Sequence, residues 1–544
     1  MLFLLLVLFA FSPAPPAGEA PRPEDRAAMA IEARLEGLLR EHPAPDRMHA
    51  CIRQLYDLYA PRGFRPIWAG KGAAAALFGE VEASDGDGLN PRDYHRDALA
   101  AMTGEDPPTP AERARRELLQ SDAFLTLADH LSHGKVDPVR LDPNWNLHEP
   151  SGRSVVAAAL VRAAGREGPG VVLEGLRPRH PKYRMLRDAL ARYRGIEEAG
   201  GWSAVPPGPA LSVGMRSPRV ALLRRRLSAT GELALSAAAD AEVYDRALVE
   251  ALRRFQRRHG LKPDGVAGGG TLEALNVPVS RRIDELRLNL ERYRWFLGGL
   301  DSTYVLVNIA GYSLQYVEDG RFRWSTRVIV GRPFRRTPVF KSPMTAVVFN
   351  PQWVVPPTIL RKDALPAIRK DRGWLRAQRL SVVDRDGRTV DPATIDWNSF
   401  GKSDFPYSLR QASGDWGALG RLKFVMPNPH LVYLHDTPTR ELFEKSERTF
   451  SSGCIRVENP RRLAELVLAD SVRWNPGRID SLIASGRTVR VALPRPVPVL
   501  ILYLTAVAEG ERVLFRRDVY RRDGALLKAL DSPLPNYKTE SCGF

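Results

Sequence analysis

Residues 448–460 read RTFSSGCIRVENP, and they set one of only three cysteines, Cys454, between a Ser-Ser-Gly turn and an arginine. A cysteine attacks only as its thiolate, so a nucleophile needs a group nearby to take its proton. The run 430–438, HLVYLHDTP, supplies a candidate in His435. Residues 431–435 read as a short strand that ends in a turn at Asp436–Pro438. Tyr433 and His435 are two apart, so a strand turns both to one face. His435 precedes Cys454 by 19 residues, a separation that a helical turn over 438–447 and a return loop can close. Gly453 carries no side chain, which leaves the N–H groups of Gly453 and Cys454 free to face a developing oxyanion. Arg456 adds a fixed cation suited to a substrate carboxylate and to lowering the thiol pKa. A helix is expected over 458–469, ENPRRLAELVLA, with Pro460 in its first turn and its positive end near the thiol. The bland alternative is an inert, packed thiol, the usual fate of a lone cysteine.

Outward from this stretch, the chain changes character several times. After Tyr304, short alternating or apolar runs such as YVLVNIA, SLQYVED, STRVIVG and TAVVFN mark a β-rich region that continues to about residue 515. The apolar run 496–507, PVPVLILYLTAV, reads as a buried strand and is too short to span a bilayer. A long insertion at 357–423 interrupts the β-rich region with helix-like ILRKDALPAIRKDRGWLRAQ and a Gly/Ser-rich stretch. Such an insertion is either a functional lid or a surface excursion. Before it, residues 279–302 hold a helix that reads as a connector. Residues 211–278 form a compact unit with two amphipathic helices and a short one opened by Thr271; Tyr244, Leu248, Leu252 and Phe255 line one apolar face. A Gly/Pro linker at 200–210 separates it from residues 21–205, which carry apolar residues at helical spacing. The loop 84–94, SDGDGLNPRDY, places Leu89 where a calcium ligand would belong, so it reads as a plain turn.

The whole chain has 544 residues and a formal net charge of +17, too long for one core and drawn to something anionic. Arginine is spread evenly, with no dense basic tail and no zinc-finger or RNP-like motif, which argues against nucleic acid. No metal is implied. His130 and His133 have metal-type spacing but no ligand cluster beside them. Residues 1–20 contain an apolar run from Leu2 to Phe11, then small residues and prolines, which reads as an export signal cleaved near Ala17 or Ala20. No Lys or Arg precedes the run, so an upstream start or an uncleaved anchor stays open. Export favours disulfides, and an odd cysteine count leaves one thiol over. Cys51 and Cys542 are open to pairing, with Cys454 free.

Two resemblances join these readings. Val220, Leu223, Leu227, Phe255, Gln256, Gly260, Leu261, Asp264, Gly265, Thr271 and Leu275 resemble a three-helix peptidoglycan-binding module. YLHDTP followed by SSGCIRVENP closely resembles the signature of the L,D-transpeptidases, cysteine enzymes that crosslink peptidoglycan, with matches at His435, Ser451, Gly453, Cys454 and Arg456. Many members carry His before the Gly-Cys, where this chain has Ser452, so the base role rests on His435. NPQWVVPPTI at 350–359 resembles the large Gram-negative-type branch. The resemblance implies a multidomain α+β chain: a helical scaffold region at 21–205, the peptidoglycan-binding module at 211–278, the connector, a catalytic domain at 303–515 with a capping insertion, and a C-terminal tail at 516–544. It implies Cys454 as nucleophile and His435 as base. The Gly453 and Cys454 N–H groups and the Tyr433 hydroxyl would hold the oxyanion, and the Asp436 carbonyl would orient the imidazole. Arg456, Ser451, Ser452 and Trp353 would contact substrate, with an ordinary core aromatic as the preferred alternative for Trp353. It implies no cofactor, peptidoglycan as partner with cell-wall synthesis enzymes as further candidates, and a periplasmic location. Hydrolysis by the same thiol, attachment of a protein to the wall, a sortase-like transpeptidase and a non-catalytic wall-binding scaffold are the competing readings.

Overall fold

A computed structural model describes residues 22–42, 47–68, 72–102, 109–147, 153–234, 240–400, 405–510 and 512–534. The expected export signal at 1–20, Cys542 and the side chain of Cys51 lie outside the described residues. The chain divides into two units, one of residues 1–133, 151–177 and 531–544, the other of 134–150 and 178–530.

The first unit is helical. Helix Pro23–Glu41 buries Ala27, Ile31, Leu35 and Leu38, a stripe at the spacing a core-facing helix requires. Helix Pro110–His133 is buried on most of its surface. Its Glu117 carboxylate accepts from the Tyr59 hydroxyl at 2.7 Å and from the Ile67 N–H at 2.5 Å. Burial raises the Glu117 pKa and these donors oppose the rise. In the turn-rich loop, Asp87 is buried against the Arg177 guanidinium at 2.9 Å, so its carboxylate is paired within the fold.

In the second unit, residues 216–275 close around Val220, Leu223, Leu227, Tyr244, Leu248, Leu252, Phe255 and Leu275. The helices are Pro218–Ala229, Arg246–Arg258 and Gly269–Leu275. Buried Gln256 ties the Gly-rich turn together. Its amide donates to Asp264 at 2.8 Å, to the Val266 carbonyl at 3.0 Å and to Thr271 at 3.2 Å, and its carbonyl accepts from the Gly265 N–H at 2.8 Å. Helix Val279–Leu297 does more than connect: Ile283, Leu286, Leu290, Tyr293 and Phe296 enter the same core as the strands that follow.

Those strands are β1 (Tyr304–Asn308), β2 (Ser313–Glu318), β3 (Arg321–Gly331), β4 (Phe340–Phe349), β5 (Trp353–Val354), β6 (Leu380–Val383), β7 (Thr389–Val390), β8 (Ser408–Gln411), β9 (Leu422–Val425), β10 (Leu434–His435), β11 (Thr449–Ser451), β12 (Ile455–Val457), β13 (Val489–Leu502), β14 (Ala506–Glu509) and β15 (Arg512–Phe515). Nine form one sheet in the order β11-β3-β12-β10-β9-β4-β13-β1-β2, and β2 pairs again with β3. Eight of these strands therefore close into a ring that encloses an apolar core, with β11 added outside the ring on β3. Central β13 supplies Val499, Leu500, Ile501 and Leu502 to that core.

The chain leaves this sheet after β4 and rejoins it at β9. Between them β5, β8, β6 and β7 form a separate four-stranded sheet. This excursion has its own core of Val355, Leu365, Ile368, Leu375, Val382, Trp397 and Leu409. The segment expected as a tail at 516–544 is described to Leu534, and it packs rather than trails. Tyr520 is buried, donates to the Gly331 carbonyl at 2.5 Å and accepts from the Thr337 N–H at 3.2 Å. Helix Asp523–Asp531 follows, and its Asp523 pairs with Arg292 at 2.6 Å.

Candidate active site

Cys454 stands in the turn between β11 and β12. β12 runs parallel to β10, with Leu434 opposite Ile455 and His435 opposite Arg456. Leu434 and Ile455 are both fully buried in the core. Side chains alternate along a strand, so Tyr433, His435, Cys454 and Arg456 belong to the other face. The Ile455 N–H donates to the Tyr433 carbonyl at 3.1 Å, which levels Cys454 with Tyr433.

The turn is held from within and from behind. Gly453 has φ +120°, a conformation that favours glycine. The Ser451 hydroxyl donates to the Cys454 carbonyl at 2.5 Å and accepts from the Gly453 N–H at 3.1 Å. Thr337 donates to the Gly453 carbonyl at 2.8 Å. The Gly453 N–H, expected to face the oxyanion, is bonded to Ser451 at rest. Ser451 is buried and holds the turn, whereas Ser452 is exposed and accepts from Arg335 at 3.1 Å.

His435 is buried, and its Nδ1–H donates to the Asp436 carbonyl at 2.5 Å, which fixes the ring and leaves Nε2 as the acceptor. Burial, with the Arg456 and Lys423 cations, lowers its pKa to about 3. The imidazole is neutral at physiological pH, the form a general base requires. Burial pushes the Cys454 pKa up, and contacts from the Tyr433 N–H and hydroxyl and the charges of Lys423 and Arg456 oppose it. The thiol points to the Leu431 carbonyl at 3.8 Å, so at rest it is not hydrogen-bonded to the imidazole.

Tyr433 joins the remaining parts. Its hydroxyl lies beside the Cys454 sulfur and the Trp353 side chain, and burial and the Cys454 thiolate raise its pKa. Trp353, half-buried on β5, packs on the core of the excursion. Arg456 donates to Thr439 at 3.0 Å, and its buried Nε has no hydrogen-bond partner among the described residues. Asp436 turns its carboxylate away from the thiol, accepting from the Arg421 N–H at 2.9 Å and pairing with Arg440 at 3.3 Å.

Sequence reasoning missed three contributors. Lys423 faces His435 from β9. Arg335 grips Asp363 of the excursion with both terminal nitrogens, at 2.5 and 2.6 Å. Gly420 makes room for Asp436. No motif marks them, although the alternation in LKFV does place Lys423 on the face opposite buried Leu422 and Phe424. Among the described residues no group of three or more His, Cys, Asp or Glu is arranged to hold a metal.

A thiol, a neutral imidazole fixed by a carbonyl, a phenol and two cations, on one face of a closed sheet, define a site suited to acyl transfer. Residues 302–495 match the YkuD family model, the L,D-transpeptidase catalytic domain. Residues 216–275 match a "putative peptidoglycan binding domain" and residues 53–190 a scaffold domain. A "putative L,D-transpeptidase" of Haemophilus influenzae is 41% identical over 253 residues, covering 45% of this chain and 50% of that protein. The chain thus spans half the length of this curated relative. Among solved structures, an L,D-transpeptidase from Mycobacterium smegmatis matches 37% of this chain and 58% of its own at 12% identity and TM-score 0.19. One from Xylanimonas cellulosilytica matches 55% and 100% at 16% identity and TM-score 0.16.

Proposed function

We propose that this chain is a peptidoglycan L,D-transpeptidase that forms 3→3 diaminopimelate crosslinks through a thioester on Cys454. The observation that carries the reading is the neutral His435 imidazole, oriented by the Asp436 carbonyl and set on the same face as a thiol contacted by Tyr433. His435 Nε2 takes the thiol proton as the sulfur leaves Leu431 and attacks the carbonyl at the L-centre of diaminopimelate in a tetrapeptide stem. The Cys454 N–H and the Tyr433 hydroxyl support the tetrahedral oxyanion. The C–N bond to D-Ala breaks, the imidazolium returns its proton to the leaving amine, and the thioester remains. The amine of a second stem then attacks, His435 takes its proton, and the amide forms as the thiol is released. Arg456 and the cationic face suit the carboxylates of the stem.

In this reading residues 21–205 are the scaffold, 211–278 hold the wall, and the excursion caps the cleft. Peptidoglycan is the partner and the location is extracytoplasmic, in the periplasm.

The test is intact-mass spectrometry of the full chain with a carbapenem, then with a disaccharide–tetrapeptide. Wild type is expected to gain one carbapenem adduct, Cys454→Ala none, and His435→Ala one formed at least tenfold more slowly, which is about 1.4 kcal/mol in barrier. The tetrapeptide is expected to give a dimer. Tripeptide as the sole product would replace transfer with hydrolysis, and a folded wild type without an adduct would leave a wall-binding scaffold.

A further inference from the structure

The antiparallel register of β9 with β10 sets Lys423 opposite His435, and the parallel register of β12 sets Arg456 opposite His435 on the other side. Three adjacent strands thus present Lys423, His435 and Arg456 in a row. The half-buried Lys423 ammonium sits 3.9 Å from the centroid of the Tyr433 ring. No carboxylate pairs with it among the described residues. Its neighbours are that ring, Cys454, which attracts it when ionised, and Arg490, which repels it. Cys454 in turn faces Tyr433, Lys423 and Arg456. Arg456 faces Arg332, which repels it, and Glu441, which attracts it. The thiolate is thus the anion this face is built to receive.

A partly desolvated ammonium without a counter-ion is unfavourable unless an anion forms beside it. An aromatic face offsets part of that cost and fixes the cation in place. We propose that Lys423 is a positioning residue for the nucleophile. Its ammonium, seated on the Tyr433 ring, holds the phenol against Cys454 and supplies the field that favours the thiolate. Lys423 stays protonated throughout, and the thiol proton goes to His435. Burial lowers the Lys423 pKa and the thiolate raises it, as this pairing requires.

The inference rests on Cys454 as the nucleophile but not on what it acylates. The experiment is the pH dependence of iodoacetamide alkylation at Cys454, read by peptide-resolved mass spectrometry on the full chain. Iodoacetamide is small and uncharged, so a lost substrate contact does not register. Lys423→Met is expected to raise the apparent thiol pKa by about one unit, lowering the rate near pH 7 about tenfold while the high-pH plateau is kept. Lys423→Arg is expected to restore the wild-type profile. A Lys423→Met profile that overlays wild type would overturn the proposal, as would a Lys423→Arg profile that follows Lys423→Met. Should Lys423→Met fail to fold, Lys423→Gln carries the same comparison. Carbapenem acylation of wild type, run in parallel, separates the two claims. A normal adduct with an unshifted alkylation profile removes only the Lys423 role. A shifted profile without an adduct removes only the transpeptidase reading.

Discussion

His435 carries two consequences that reach beyond its own ring. Its folded pKa is about 3 and its unfolded value about 6.5. Between these values the unfolded chain binds more protons, so the residue's contribution to stability is fully present above pH 6.5 and is lost as pH falls toward 3. Replacing it by Gln is expected to flatten part of the decline in Tm between pH 6.5 and 4; a decline as steep as wild type would show that the native imidazole titrates normally. The base stays neutral over the same range, so carbapenem acylation is expected to show no half-protonation step near pH 6.5, and a step there would place a proton on His435 at rest. Gly420 guards the same unit. It has φ +57°, and a Cβ there would lie 2.5 Å from Asp436 Cγ. Gly420→Ala is expected to destabilise by about 1–3 kcal/mol, read by urea unfolding, and to slow acylation by moving the carbonyl that orients His435. A variant as stable and as fast as wild type would mean that Asp436 yields freely.

At the level of elements, the excursion between β4 and β9 is fastened to the catalytic turn by one short bridge: Arg335 grips Asp363 and donates to Ser452, two residues before Cys454. The excursion keeps its own core, so Asp363→Ala is expected to cost little global stability, about 1 kcal/mol for this half-buried pair, and to leave that core intact. Local opening is expected instead, as faster amide hydrogen exchange over 357–377 and a higher KM with little change in kcat. Exchange unchanged in that segment would show that the excursion is held elsewhere. Ser451, Cys454, Arg456 and His435 stood out in the sequence because they fall in two short motifs, and the structure sets those motifs on the adjacent strands β10 and β12 and the turn before β12. Sequence reading also took in the alternating runs that became β1 to β4. It missed Lys423 and Arg335 because their roles arise from register and from a side chain reaching across elements, and no local pattern encodes either. The bond from the Gly453 N–H to Ser451 was not legible, because a glycine in a sequence says that space opens but not where its hydrogen bond goes. The closed sheet was hidden for a related reason, since parallel pairing of β10 with β12 and the return of β2 to β3 are long-range choices.

Across the molecule, the region 216–275 is seated on the strands, not simply tethered to them. His259 stacks between Phe255, at 3.8 Å, and Phe515 of β15, at 5.6 Å, and Arg516 donates to the Arg258 carbonyl at 2.8 Å. A wall-binding module fixed in this way would present the polymer to the site in a set direction. It would not act as a loose anchor, which helps only by raising local concentration. The net charge of +17 adds a long-range attraction to an anionic polymer, and salt screens attraction of that kind. These contributions are separable in sacculus pull-down with the Cys454→Ala chain. Raising the salt is expected to weaken binding of the whole chain. Gln256→Ala removes the acceptor of the Gly265 N–H and the three contacts to Asp264, Val266 and Thr271. That loss is expected to destabilise the Gly-rich turn by about 1–3 kcal/mol and to weaken the salt-resistant part of binding. In the otherwise wild-type chain the same substitution is expected to leave the carbapenem adduct rate unchanged, because that small reagent needs only the Cys454 face. Crosslinking of intact sacculi should fall while crosslinking of soluble muropeptides does not. Equal loss on both substrates would show that the module supports the catalytic sheet and does not deliver the wall to it.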